Sequence, residues 1–315
     1  MRRDPRPRAG RPPLPHPTSL ADAVAGGRPF RATHALAEGL VTRHSLGTGF
    51  IMVVPGVYAT RGTELTGWDR IRAVWLWAPA DAVIGGWAAA YLHGERWYSG
   101  DRAHGAVDVL TGLEPRIPAG VRERRIRRPL TDPDIDVVNG VRITTPARTA
   151  VDVARWARGA DRTVAMIDSV CNATGTDLTA VAAAAGRMPG QHGVSRVVRL
   201  LPSCDPRADS PPESMLRLAI TRSDLPNPTP QLRIHDADGR RVATADLGYE
   251  REKVAIFYDG EVHVDPEQWR WDIRVNARLA FLGWQVVRVV GGMDQDEVLR
   301  DVGAALDRAR RSGSG

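Results

Sequence analysis

Lysine is almost missing from this chain: Lys253 is the single one among 315 residues, and nearly all the positive charge is arginine. Cysteine is scarce as well. Cys171 and Cys204 stand far apart and form no metal-type pair, which argues against a cysteine-bound zinc site and against a disulfide framework. They read as two free thiols in a reducing cytoplasm. No uninterrupted apolar run reaches the ~20 residues of a membrane-spanning helix, so no membrane partner is expected. The N-terminus is rich in Arg and Pro without an apolar stretch, so no secretory signal is expected.

What remains is ordinary for a globular protein, 43% hydrophobic and 25% charged, in a chain long enough for two or three domains with real cores. Net charge is +6 and the sequence pI is about 10. Guanidinium forks suit phosphates and guanine edges, so the basic balance is compatible with a nucleic-acid partner, DNA above all. Composition alone leaves that open.

Residues 1–29 carry repeated Arg and Pro and read as a disordered basic arm, either an electrostatic contact to nucleic acid or a solvated tail. Foldable sequence begins at Phe30. Short helix patterns at 32–38 and 41–46 precede an apolar hairpin at 50–58 that turns on Pro55 and Gly56, so residues 30–62 form a small module. Such a module would offer Arg43 and His44 to a DNA groove; the plainer alternative is a packing subdomain.

Residues 63–202 read as an α+β, mainly helical region. Helices are predicted at 68–77 and 85–93, strands at 106–110, 123–128, 135–138 and 141–144. His93 before Gly94 reads as a helix end. Asn139 and Gly140 make a two-residue hairpin turn. Arg122, Arg124, Arg125, Arg127 and Arg128 are the densest basic run, either a phosphate track or a solvated sheet face. A helix starts at Thr145 and Pro146 and carries Arg148 and Asp152, which can bridge locally. Further helices fit 161–171, 178–186 and 191–200. The polar, Pro-containing run 202–211 is a boundary, and 308–315 reads as a frayed tail.

Residues 210–308 then run helix, strand, strand, strand, helix, strand. Within the third strand Ala255, Phe257 and Asp259 share one face, and Val254, Ile256 and Tyr258 the other. If the second and third strands form a hairpin, Asp246 can stand opposite, with Glu213 supplied by the preceding helix. Three such carboxylates could hold a metal, and His263 could relay a proton. Each residue also has a plainer role: Asp259 and Gly260 make a good turn, and Glu213 suits a first helical turn.

Two resemblances bear on this order. Glu213, Asp246, the run Tyr258, Asp259 and Gly260 followed by His263, then Asp272, Ile273 and Arg274, and finally the strand from Gly283 and Trp284 to Val289 together resemble the Vsr-like branch of PD-(D/E)XK nucleases. That resemblance implies an α/β C-terminal domain, a restriction-endonuclease-like mixed sheet flanked by helices. It also implies a metal site of Glu213, Asp246 and Asp259, with Mg²⁺ or Mn²⁺ as cofactor and Arg274 beside the nucleic acid. The family's third strand usually reads Glu-x-Asp-Gly with the Glu as a ligand; here Phe257 stands in its place. The second resemblance is to AbiEi-type antitoxins of type IV toxin–antitoxin systems. It rests on Gly39, Leu40 and Val41, on Pro55 to Tyr58, on Val138 to Val141 and on Thr144 to Asp152. It implies a winged-helix-like module, DNA binding and a cognate toxin or other protein as partner. The two readings that follow are a metal-dependent endonuclease and a catalytically inactive, antitoxin-like DNA-binding regulator.

Overall fold

The computed structural model describes residues 19–97, 106–111, 118–125, 130–259 and 266–312. Among the described residues there are twelve α-helices and three sheets, a mixed α/β architecture. They fall into two compact units. One comprises Arg11–Arg158 with Ala173–Leu201; the other gathers Gly159–Asn172 with Pro202–Gly315.

The first unit begins inside the expected disordered arm, where α1 (Leu20–Ala25) forms. Ser19 Oγ caps it by accepting from Asp22 N, and Leu20, Ala23 and Val24 pack into a small core with Phe30, Ala35 and Leu46. Burial of that apolar stripe is what the Arg- and Pro-rich reading missed. Then come β1 (Phe30–Arg31), α2 (Ala32–Ala37), α3 (Arg43–Gly49), β2 (Phe50–Val54) and β3 (Val57–Thr60). Two short helices and a hairpin are thus present, and β1 completes a sheet ordered β1-β3-β2. Phe30 and Phe50 meet edge to face at 5.2 Å.

A five-stranded sheet follows, ordered β6-β5-β4-β8-β7, from β4 (Val83–Gly85), β5 (Val107–Thr111), β6 (Val121–Arg125), β7 (Ile135–Val138) and β8 (Val141–Thr144). Its core joins Ile84, Val107, Val109 and Ile143 to helices α4 (Gly67–Trp77) and α5 (Gly86–Leu92) through Ile71, Val74 and Trp87. The sequence reading began the helix at residue 85, yet Gly85 closes a strand and the helix starts at Gly86. Gly86 has φ +57°, and a Cβ there would stand 2.5 Å from Asp108 Oδ2, so only glycine fits. Asn139 and Gly140 both take positive φ in the β7–β8 turn, as that dipeptide favours. Helices α6 (Pro146–Trp156), α8 (Leu178–Gly186) and α9 (Val194–Leu200) complete this unit, whereas most of α7 (Ala160–Thr174) belongs to the other.

In the second unit, α10 (Pro211–Thr221) leads into β9 (Thr229–His235), β10 (Arg241–Tyr249) and β11 (Val254–Asp259). Helix α11 (Pro266–Phe281) then crosses over to β12 (Gln285–Val290). The sheet order is β12-β11-β10-β9. β9, β10 and β11 pair antiparallel; β12 lies parallel to β11, which the α11 crossover makes possible. One face is covered by Leu216 and Ile220 of α10 and by Val302 and Leu306 of α12 (Gln295–Ser312). The other face packs Leu232, Ile234, Ala245 and Phe257 against Val275 and Leu279 of α11. The expected frayed tail from residue 308 is, to Ser312, the last turn of α12, held because Val298, Val302, Ala305 and Leu306 recur at helical spacing on a buried side.

Candidate functional site at a strand fork

Asp246 stands where β10 and β11 part. These strands pair as Leu247↔Ile256, Gly248↔Ala255 and Tyr249↔Val254, and the ladder ends there. Beyond it a side chain replaces the backbone acceptor: Tyr258 donates its N–H to Asp246 Oδ2 at 2.7 Å. On its other edge β10 stays paired with β9, Ala245 with Leu232 and Leu247 with Pro230, so Asp246 lies opposite Gln231. Gln231 has φ 51°, the left-handed region rarely used outside Gly, Asn and Asp. Ala243 and Ala245 face α11, while Leu247 and Tyr249 face the opposite core. Residues two apart in a regular strand share a face, so β10 rolls over at Asp246.

Glu213 reaches the same place from the first turn of α10. Ser210 Oγ donates to Glu213 Oε1 at 2.8 Å, and Asp209 N donates to Oε2 at 2.9 Å. Glu213 N in turn donates to Ser210 Oγ, the N-cap bond of α10. Gln231 Nε2 donates to the same Oε2 at 2.9 Å. Glu213 and Asp246 are 4% and 2% exposed. Burial, then the negative charge of Asp246, pushes the Glu213 carboxyl up to about 7. Two buried carboxyls that repel each other resist double ionisation.

Asp259 does not join them. Arg288 Nη1 donates to both of its oxygens, at 3.1 and 3.0 Å, and Arg288 Nη2 donates to Asn276 Oδ1 at 3.1 Å. Phe257 and Arg288 are register partners on β11 and β12, and the guanidinium carbon lies 5.1 Å from the ring centroid. The strand parity read from sequence is present: Ala255 and Phe257 share the α11 side, Val254 and Ile256 the other. The expected gathering of Glu213, Asp246 and Asp259 is not. The first two meet, and the third is taken by an arginine from the neighbouring strand, a charge-assisted fork that a point cation would have to displace. Among the described residues no three His, Cys, Asp or Glu side chains are grouped to hold a metal ion. A hard divalent cation wants six or more oxygens. Phe257 offers no oxygen and Asp259 is held by Arg288, so the described side chains bring together fewer carboxylates than the resemblance implies. His263 lies outside the described residues.

The basic candidates divide. Arg43 and His44 are exposed in the first turn of α3, whose N-terminus is closed by Thr42 and Ser45. Arg274 is exposed on α11. Arg124 is partly exposed and already engaged: its Nε bonds Asp108 Oδ1 at 2.6 Å and its guanidinium stacks 3.9 Å from the Trp156 ring centroid. Asp108, buried beneath, claims that guanidinium. Arg127 and the side chain of Arg125 lie outside what the structure describes.

Some site residues carry no advance mark in the sequence. Gln231 and Arg288 are of that kind, since neither residue type announces a strained backbone or a cross-strand fork. The Ser210 to Glu213 spacing did carry a capping signal. The Arg148–Asp152 pair is more than local. It belongs to a chain of ion pairs in which the buried Arg148 also meets Asp134 at 3.0 Å, Arg155 meets Asp152 at 2.7 Å and the exposed Arg187 meets Asp134 at 2.7 Å. His93 ends α5 and its Nε2 lies 2.7 Å from Thr144 O, a structural role.

Residues 82–203 match the AbiEi antitoxin C-terminal domain. Two proteins of Mycobacterium tuberculosis, the uncharacterized protein MT2308 of strain CDC 1551 / Oshkosh and the uncharacterized protein Rv2248 of strain ATCC 25618 / H37Rv, are each 30% identical over 276 residues, covering 84% of this chain and 95% of theirs. No solved structure matches. No described helix is long and apolar enough to cross a membrane. The chain belongs to the family of these mycobacterial proteins and carries at its centre a segment similar to the AbiEi antitoxin C-terminal domain.

Proposed function

We propose that this protein is an antitoxin-type regulator that binds DNA and does not hydrolyse it. The observation that carries the reading is the similarity of residues 82–203 to the AbiEi antitoxin C-terminal domain. The helix–helix–hairpin ahead of that segment supports it as a winged-helix-like DNA contact. Its α3 presents Arg43 and His44 to solvent, and the β2–β3 hairpin is the wing. A net charge of +6 supplies a favourable long-range field for a polyanion. A cognate toxin is the protein partner this reading expects.

The second unit fits the reading as a PD-(D/E)XK-like layout without its chemistry. Phe257 offers no oxygen and Arg288 holds Asp259. Titration of a labelled duplex by the full chain tests the binding half. Affinity should fall steeply as salt rises. Arg43→Ala with His44→Ala should weaken it while the fold persists. Absence of binding at low salt, or the same affinity in that variant, contradicts the assignment.

A further inference from the structure

Helix α11 is apolar on the wrong side as well as the right one. Val275 and Leu279 are buried against the sheet. At roughly 100° per residue, Ile273, Ala277, Ala280 and Phe281 fall within an arc of about 100° on the side facing away from those two. Exposure agrees: Ile273 is 47% and Phe281 80% exposed, and Ala277 and Ala280 are exposed too. A surface helix normally carries polar residues on this face; one apolar on both sides is usually covered. Arg274 and Arg278 line one flank of the stripe; the Arg278 guanidinium lies 5.6 Å from the Phe281 ring centroid and its Nη2 also pairs with Asp236 Oδ2 at 3.3 Å, so Arg274 is the main charge the flank offers a partner.

We infer that this outer face of α11 docks a partner protein through an amphipathic helix whose apolar stripe covers Ile273, Ala277 and Phe281 and whose flank is acidic. The spacing, one residue per turn over more than two turns, is that of helix-on-helix anchoring. The arginine flank decides the charge of the occupant. A second copy of this chain in the antiparallel arrangement is disfavoured, because a two-fold pair of antiparallel helices brings each flank against its own copy and would set Arg274 against Arg274; a parallel pair shows itself as self-association in the test below. The inference is independent of the DNA-binding reading, which rests on the first unit.

The test uses the full chain and two synthetic helical peptides, both with leucines at the a and d positions, one with glutamates and one with lysines on the flanks. Anisotropy should show the acidic peptide bound and the basic one not. Ile273→Ser with Phe281→Ser should weaken binding by about tenfold or more, as for the loss of central anchors, with thermal melting and duplex-DNA affinity unchanged. Arg274→Glu should shift preference toward the basic peptide. The inference is overturned if the acidic peptide does not bind, if both peptides bind alike, or if the double variant binds as well as the natural chain. It is also overturned if that variant instead abolishes self-association, adhesion to phosphatidylserine vesicles, or DNA binding.

Discussion

Tyr258 gives its backbone N–H to the side chain of Asp246, at 2.7 Å, where a strand neighbour would ordinarily offer a carbonyl. That single bond ends the β10–β11 ladder without leaving a buried donor unpaired. It also holds the Asp246 carboxylate beside Glu213. Asp246→Ala should therefore destabilise the second unit by roughly 1–3 kcal/mol, the cost of an orphaned buried N–H. Asp246→Asn keeps an acceptor oxygen, removes the charge and should cost much less. Urea unfolding of both variants checks the difference; equal losses would mean that the charge, not the bond, is what matters.

The pH dependence has a fixed sign. Glu213 is raised from its ordinary 4.5 to about 7, chiefly by burial and then by Asp246. Asp168, buried under Ser214 and Arg217, is raised to about 6, chiefly by burial. A carboxyl with a raised folded pKa binds more protons in the folded state, so its stabilisation is complete below the unfolded pKa and is lost as pH rises through the folded one. Stability should fall between about pH 4.5 and pH 7, with Glu213 contributing on the order of 1–3 kcal/mol. Glu213→Gln should flatten the upper part of that slope. Denaturant midpoints across the window give the answer, and an unchanged slope would contradict the coupling.

Phe257 is 5% exposed and packs among Leu232, Ile234, Val275 and Leu279. Phe257→Ala should cost roughly 3–5 kcal/mol through lost contact and the cavity left behind. A loss below about 1 kcal/mol would show that the ring is not a core element.

In the first unit Asp152 is fully buried between Arg148 and Arg155. Asp152→Ala leaves two buried guanidinium groups short of a partner and should destabilise by roughly 3–5 kcal/mol. Thermal melting reads it directly, and a near-neutral outcome would mean that Asp134 alone satisfies Arg148.

Most elements were legible because their patterns are local. Strand alternation put Phe257 and Asp259 on one side, the Asn139-Gly140 turn fixed its hairpin, and Thr145 with Pro146 marked a helix start. What stayed hidden depends on partners distant in sequence. Arg288 sits 29 residues from the Asp259 it binds, and parity cannot tell a free carboxylate from a paired one. Strand β4 was hidden because Gly85 and Gly86 look alike in sequence while one ends a strand and the other starts a helix at positive φ. The roll of β10 at Asp246 was hidden because Gln231, its partner across β9, is not a residue that advertises a left-handed backbone.

The proposed function is DNA binding without hydrolysis. Supercoiled plasmid incubated with the full chain and Mg²⁺ or Mn²⁺, beside a gel shift of the same DNA without metal, tests it most directly. A salt-sensitive shift and plasmid that stays supercoiled at every metal concentration are expected. Metal-dependent nicking that disappears in Asp246→Asn would contradict it, because the fork would then be a working hydrolytic site despite Phe257 and Arg288.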